Sequence, residues 1–302
     1  TVNNMFATHM QKGRAFIMGD AAHRHPPSNG LGSNTSIQDG FNLAWKLAAV
    51  LKGHAGPGLL DTYSQERAPV ARQIVTRANQ SIGEFGPIFE ALGMDGGTDI
   101  EKIQASMDAR CDATQAAEKQ REALRKAFEF KKYEFDAHGV EMNQRYASAA
   151  AVTDGQPEPE FTKDRELHYQ PTTWPGARLP HAWIYDQDGK QHSTLDITGK
   201  GRFTLLTGIS GQQWAHAAET VGKALGVEIA VHVIGPRRAL VDHHGDWARS
   251  RETGESGCVL VRPDHHVAWR AITLPGDPAG ELMRALAAIL DRNTNSAHQA
   301  AE

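Results

Sequence analysis

The hydrophobic rhythm of the chain changes several times along its length. Residues 14–18, "RAFIM", form a compact apolar run that predicts a short buried strand. From Asn34 to Lys52, Ile37, Phe41, Ala44, Trp45, Ala48 and Leu51 recur mostly at three- and four-residue steps, the spacing of a packed helical face. Asn34, Thr35 and Ser36 are cap candidates for that helix, and Gly53 is a natural stop. A second helix is expected from Leu59 to about Phe85, interrupted near Pro69. Residues 98–135, rich in Glu, Lys, Arg, Gln and Ala, read as one or two exposed helices with a solvated charged face.

Residues 151–176 carry Pro157, Pro159, Pro171 and Pro175 with little periodicity, the composition of a linker. Beyond it the pattern changes. "HAWIYDQDGKQHSTLDI" reads as two short strands around an Asp-Gly turn. "RFTLLTGI" and "VEIAVHVIG" read as buried strands flanking the helix "GQQWAHAAETVGKALG". "GCVLVRPDHHVAWRAI" is a hairpin with Pro263 and Asp264 at its turn, and "PAGELMRALAAILDR" is a closing helix. Strand, helix, strand, hairpin and helix in that order predict a thioredoxin-like α/β domain over residues 177–302.

Composition narrows the function classes. A chain of 302 residues is long enough for two domains. Its formal net charge of −4 gives no bulk attraction to nucleic acid or an anionic membrane, and neither is expected as a partner. No apolar run approaches the roughly 18 residues of a membrane span, and no basic start leads into an apolar core, so secretion is not expected. Cys111 and Cys258 are far apart and outside any C-x-x-C, which disfavours a disulfide framework and favours a reducing, cytoplasmic setting. The chain opens on Thr1 and reaches "GRAFIMGD" almost at once, so it is expected to begin inside a domain.

Candidate chemistry concentrates in "GDAAHRHPPSNGLGSN", residues 19–34. Asp20 would project from the C-terminal edge of a strand, where open α/β sheets bind ligands, and a carboxylate there accepts hydrogen bonds from ribose hydroxyls. Pro26 and Pro27 fix φ and remove two N–H donors, leaving carbonyls to face the site. Gly30 and Gly32 permit torsions and close approaches that side chains forbid. A helix starting near Asn34 would aim free N–H groups and a positive dipole end into the loop. A planar ring with charge on one edge, such as a reduced flavin, suits that pocket. Taken alone Asp20 reads as a turn or capping residue; its neighbours Gly19, the double proline and the two glycines favour a site.

The segment "GRAFIMGDAAHRHPPSNGLGSNTSIQDGFNLAWKLA" closely resembles the second FAD-binding motif of the FAD-dependent aromatic hydroxylases, the class A flavoprotein monooxygenases, and within them the phenol hydroxylase branch. The resemblance continues through "LLDTYSQERAPVARQIV", "FDAHGVEMNQRY", "YQPTTWPGARLPHAWI" and "GCVLVRPDHHVAWRA", and so covers nearly the whole chain. It implies an α/β architecture: the C-terminal part of a Rossmann-like FAD-binding domain with helices over residues 1–150, a linker over 151–176, and a thioredoxin-like domain without redox cysteines.

The resemblance also assigns roles. Asp20 would bind ribityl or ribose hydroxyls of FAD, and the Pro27 carbonyl would lie beside the isoalloxazine and the aromatic substrate. The backbone about Gly30, Gly32, Ser33 and Asn34 would hold the pyrimidine end of the flavin; Ser33 departs from the larger apolar residue of many relatives. The family's first motif, G-x-G-x-x-G, has no counterpart here, and its phenol-activating residues also lie upstream. The chain therefore looks like a C-terminal half whose partner is the missing N-terminal half, with a homodimer implied. The implied reaction of the whole enzyme is reduction of FAD by NADPH, addition of O2 to give a flavin C4a-hydroperoxide, and ortho-hydroxylation of a phenol, chlorophenols among the candidates, to a catechol. Two other readings stand beside it: a non-catalytic thioredoxin-like docking or dimerisation module, and a flavoenzyme of the same fold, such as a dehydrogenase or halogenase. A thiol oxidoreductase is disfavoured, because no cysteine sits in a redox motif.

Other residues draw duller expectations. His23 and His25 have no third ligand at metal-binding spacing, so no metal is expected. His243, His244, His265 and His266 are expected in solvated turns. Cys258 reads as a small core residue, and the six tryptophans mostly as core or domain-interface anchors. Arg202, Arg262 and Arg270 are available to a partner subunit.

Overall fold

The computed structural model describes residues 4–94 and 99–292. Residues 4–30 make only fragments of sheet and two short helical turns. Strands β1 (Met5–Phe6) and β4 (His23–Arg24) pair antiparallel, as do β2 (Gln11–Lys12) and β3 (Ala15–Phe16). The expected buried strand over 14–18 is thus a two-residue strand, and Ile17 and Met18 are exposed. Its only partner among the described residues is β2, so no sheet covers its faces.

Helix α1 (Gly32–Leu51) forms where its periodicity predicts, but it turns the opposite way. Ile37 and Leu51 are 70% and 83% exposed, and Phe41, Ala44 and Ala48 are exposed too. The buried positions are Thr35, Asp39, Asn42, Leu43, Trp45 and Lys46. The polar members of this set recur at helical steps just as the apolar ones do. Periodicity alone does not say which stripe faces inward, and here ionic partners decide.

Helix α2 (Asp61–Gly83) runs unbroken through Pro69, which corrects the expected interruption. Proline removes one N–H donor, but Pro69 lies on the exposed side, while Tyr63, Ala71, Ile74, Val75 and Ala78 bury the other side. Helices α3 (Gly86–Ala91), α4 (Ile100–Ala109), α5 (Gln115–Phe130), α6 (Lys132–Phe135) and α7 (His138–Met142) follow. From 143 to 182 the backbone carries no helix or strand, only the isolated bridges Arg145–Ala177 and Arg178–His266. Much of it is nevertheless packed: Thr173 and Trp174 are buried, and the Val152 N–H donates to the Ala268 carbonyl at 2.8 Å.

The C-terminal part is a three-layer α/β unit. A small sheet combines β5 (Trp183–Asp186), β6 (Gln191–Ser193) and β9 (Leu240–Val241), with the short helix α8 (Thr194–Ile197) following β6. The central sheet has the order β11-β10-β7-β8, built from β7 (Phe203–Thr207), β8 (Ile229–Val233), β10 (Cys258–Val261) and β11 (Val267–Ala271). β7 and β8 are parallel and joined through α9 (Gln213–Leu225), and β10 is antiparallel to both its neighbours. Helix α10 (Asp246–Ser250) precedes β10, and α11 (Pro278–Ile289) closes the chain. Leu205, Cys258 and Leu260 point towards α9 and α11, whereas Leu206, Val259 and Val261 point towards Trp247 and the small sheet. Burial on both faces explains why β10 reads as a continuous apolar run and β7 as one broken only by Thr204 and Thr207. β8, read as buried, is only half-buried because it is the sheet's edge strand.

The two parts share one core. Trp45 of α1 meets Phe203 of β7 edge-to-face, centroids 6.0 Å apart, within the cluster that contains Trp214 and Leu260. Five tryptophans are buried, as expected of anchors, and Trp183 is exposed. Leu260→Ala should lower unfolding stability by roughly 2–5 kcal/mol, read from the urea midpoint; a change below about 1 kcal/mol would place this strand outside the cooperative core.

Candidate functional site

The loop before α1 is shaped by three left-handed residues. Gly19 has φ +57°, Asn29 φ +67° and Gly30 φ +63°. A Cβ on Gly19 would stand 3.0 Å from Ser36 Oγ, so both torsion and space require glycine there. The Asn29 side chain donates to the carbonyls of Tyr133 (2.7 Å) and Glu134 (3.2 Å), tying the loop to α6. The Pro27 carbonyl accepts the Gly30 N–H at 3.2 Å, and Pro27 itself is exposed.

α1 starts at Gly32, two residues before the expected start, and no side chain caps it. Asn34, Thr35 and Ser36 lie inside its first turns instead of before them. Asn34 Nδ2 reaches back to the Gly30 carbonyl at 3.3 Å, and Ser36 Oγ to the Gly32 carbonyl at 2.8 Å. The backbone N–H groups of Gly32, Ser33 and Asn34 therefore have no acceptor among the described residues. Ser33 and Asn34 are exposed, and so is Asp20, whose carboxylate has no partner there either. Thus Asp20, Pro27, Gly30, Gly32, Ser33 and Asn34 lie along one loop and helix start, with unspent donors and one unspent carboxylate.

A buried ionic cluster underlies this loop, and sequence reading missed it. Asp39 of α1 accepts the Gly19 N–H at 3.1 Å, His23 Nε2–H at 2.9 Å and Arg67 Nε–H at 2.7 Å. Arg67 also donates to the Tyr146 hydroxyl (2.9 Å) and to Gln144 Oε1 (3.1 Å). Next to it, Glu66 receives both terminal nitrogens of Arg262 (2.7 and 2.9 Å), Lys46 Nζ (2.7 Å), Asn42 Nδ2 (2.7 Å) and Ser148 Oγ (2.6 Å). Arg262 grips Asp264 through Nε and Nη2 as well. Burial opposes every one of these charges. For Glu66 it is outweighed by Arg262 and Lys46, and for Asp39 by His23, Arg67 and the Gly19 amide, so both carboxyls titrate below their ordinary range. For Lys46 burial prevails and lowers its pKa to about 8. The available signal was the stripe Thr35, Asp39, Asn42, Lys46, a second helical face with polar chemistry.

Burial within the chain changes two expectations. Arg262 is fully buried and Arg270 nearly so, the latter paired with Asp154 and Glu252, so both serve contacts within the chain. His266 is buried and stacks on Tyr146 at 4.2 Å, while His265, at φ +62°, bonds Thr198 Oγ1 at 3.1 Å; neither is a solvated turn residue. The hairpin folds back onto the first part of the chain and encloses them. His243 and His244 are exposed, and Cys258 is a buried core residue. His23 is spent on Asp39, and His25 Nδ1 lies 2.6 Å from the Pro26 carbonyl.

Comparison with known proteins bears on this geometry. Residues 1–78 match the FAD binding domain family, and residues 172–293 match the aromatic-ring hydroxylase C-terminal family. The chain belongs to the FAD-dependent aromatic-ring hydroxylases. This chain is 52% identical over 295 residues to 2,4-dichlorophenol 6-monooxygenase of Cupriavidus pinatubonensis, covering 97% of itself and 49% of that protein. It is also 52% identical over 284 residues to phenol 2-monooxygenase of a Pseudomonas species, covering 94% of itself and 47% of the relative. Its fold matches the solved structure of the flavin-dependent monooxygenase PieE in complex with FAD and substrate, with TM-score 0.92 and 48% identity, over 97% of this chain and 50% of that one. The chain spans about half the length of the curated relatives it matches.

The ionic cluster sets a pH dependence. The carboxyls of Glu66, Asp39 and Asp264 are held below their ordinary values, and burial lowers the imidazoles of His232 and His265. Each group binds fewer protons folded than unfolded, so stability rises with pH through this range. It should therefore fall as pH drops below the ordinary histidine value of 6.5, and fall again below the ordinary glutamate value of 4.5. Urea midpoints across the acid range test this, and a flat profile would contradict it. Glu66→Gln should cost about 3–5 kcal/mol at neutral pH, because it breaks a buried pair, and should make the lower limb shallower.

Proposed function

We propose that the loop over 19–34 and the start of α1 hold the flavin of FAD, within an FAD- and NADPH-dependent hydroxylase that converts a phenol and O2 to a catechol. The observation carrying this reading is the conjunction at α1: three backbone N–H groups without acceptors, an exposed and unpartnered Asp20, and a glycine-shaped approach. Those donors suit the electron-rich pyrimidine edge of a flavin, and the Asp20 carboxylate suits sugar hydroxyls. When bound, FAD supplies the oxygen-activating chemistry.

The chain's own part is positional. Gly32, Ser33 and Asn34 donate backbone N–H groups to the ring edge. Asp20 accepts from the ribityl or ribose hydroxyls, and Pro27 borders the aromatic substrate with its ring and carbonyl. Asp39 keeps the Gly19 turn in place from beneath through the amide it accepts. Exposure at the loop surface leaves room for substrate-activating residues from outside this chain. The relatives' names support a phenolic substrate, and the net charge and cysteine usage support a cytoplasmic setting.

The C-terminal unit supports a second, compatible role. The order β11-β10-β7-β8 with α9 and α11 on one face is consistent with a thioredoxin-like module. Burial pushes the Cys258 thiol upward, away from redox use. Docking, including pairing of two copies, is the role we assign it.

The complete enzyme that contains this chain should carry flavin absorption and oxidise NADPH faster when phenol is added, whereas the 302-residue chain alone should be inactive. Asp20→Ala should weaken FAD binding at least about tenfold, since it removes hydrogen bonds to a charged acceptor, while leaving the circular dichroism unchanged. Equal FAD affinity in the variant would remove Asp20 from the site.

A further inference from the structure

We propose that Asn29 is a positioning residue for the FAD site: its side-chain amide ties the loop over 19–34 to α6, and that tether places the backbone donors at the start of α1. The proposal rests on the flavin reading above. It adds to that reading a residue whose side chain is already committed within the protein.

Asn29 and Gly30 are both left-handed, and together they reverse the chain just before α1. Asparagine adopts that torsion more readily than most residues, but glycine adopts it freely. The torsion alone therefore does not call for an amide. The amide has a separate use: Nδ2 donates to the carbonyls of Tyr133 at 2.7 Å and Glu134 at 3.2 Å. Those carbonyls lie at the end of α6, and neither receives a backbone N–H among the described residues. Asn29 thus caps a helix that lies 104 residues further along the chain.

The helix it caps is a fixed platform. The Tyr133 hydroxyl donates to Asp164 Oδ2 at 2.7 Å, the Arg77 guanidinium lies 5.2 Å from the Tyr133 ring centroid, and Glu134 pairs with Lys131. Leu31 adds an apolar anchor on the other side of Gly30. It is buried in one cluster with Ala137 and Val140, which follow α6. Asp39 fixes the first end of the loop at Gly19, and Asn29 with Leu31 fixes the second. Gly32 follows Leu31 directly, so a shift of this second end displaces the N–H groups of Gly32, Ser33 and Asn34.

Two variants keep the left-handed torsion while removing the tether. Asn29→Gly deletes the amide, and Asn29→Asp keeps its shape but sets an acceptor against two carbonyls. In the complete enzyme freed of FAD, both should speed hydrogen exchange at the amides of Gly30 and Thr35, which donate to the Pro27 and Leu31 carbonyls. Exchange along α2 should stay unchanged. On adding FAD back, each variant should bind it about fivefold more weakly. Unchanged exchange at both amides overturns the tether, and faster exchange throughout α2 as well would make Asn29 a general stabilising residue and overturn the proposal too. Faster loop exchange with unaltered FAD affinity, beside an Asp20→Ala variant that binds FAD more weakly, overturns the positioning role and leaves the flavin reading standing. If neither Asp20→Ala nor the Asn29 variants alter FAD affinity, the flavin reading falls and this proposal with it.

Discussion

The double fork between Arg262 and Glu66 is the constraint on which the rest of the molecule depends. Arg262 sits at the end of β10, Glu66 on α2, and each is fully enclosed. Two buried charges persist only when their geometry is good and their remaining hydrogen-bonding capacity is met. Asn42, Lys46, Ser148 and Asp264 meet it. That requirement rotates α1 so that its polar stripe faces inward, and it clamps the C-terminal hairpin over α1 and α2. Trp45 and Phe203 then extend the contact with ordinary apolar packing.

The loop over 19–34 inherits its rigidity from the neighbouring ionic group. Asp39 and Glu66 are separate carboxylates, but Arg67 follows Glu66 on the same helix and binds Asp39. Movement of α2 therefore moves the acceptor of the Gly19 amide. In this arrangement the loop is free to present its donors outward, because its own conformation is set from below and by three left-handed torsions. Rigid support under a solvent-facing set of donors is the usual condition for a pre-organised ligand site.

Much of this architecture was legible in the residues. The C-terminal elements could be read because β10 is apolar throughout, β7 is apolar but for Thr204 and Thr207, and the turns carry Gly or Pro-Asp. The loop chemistry could be read because glycine, proline and aspartate have narrow backbone meanings. The face of α1 could not, since apolar and polar stripes share one period and only the partners across space choose between them. Pro69 misled for a related reason: its cost is local, whereas the burial that sustains α2 is spread along the helix. His265 and His266 looked like solvated turn residues; His265 does lie in the bend, but His266 bridges to Arg178, and another part of the chain covers both. Short-range grammar gives the turn and not its burial.

The fork has a consequence for how such a protein can change over generations. The sequence between residues 151 and 176 looks like a junction at which one module could be traded for another. A replacement C-terminal unit, however, would have to bring an arginine that meets Glu66, and a replacement first part would have to bring the carboxylate. Either one arriving alone would lose the two-pronged contact, leaving Glu66 to Lys46, Asn42 and Ser148, and Arg262 to Asp264. The two parts are bound to vary together, as one inherited unit.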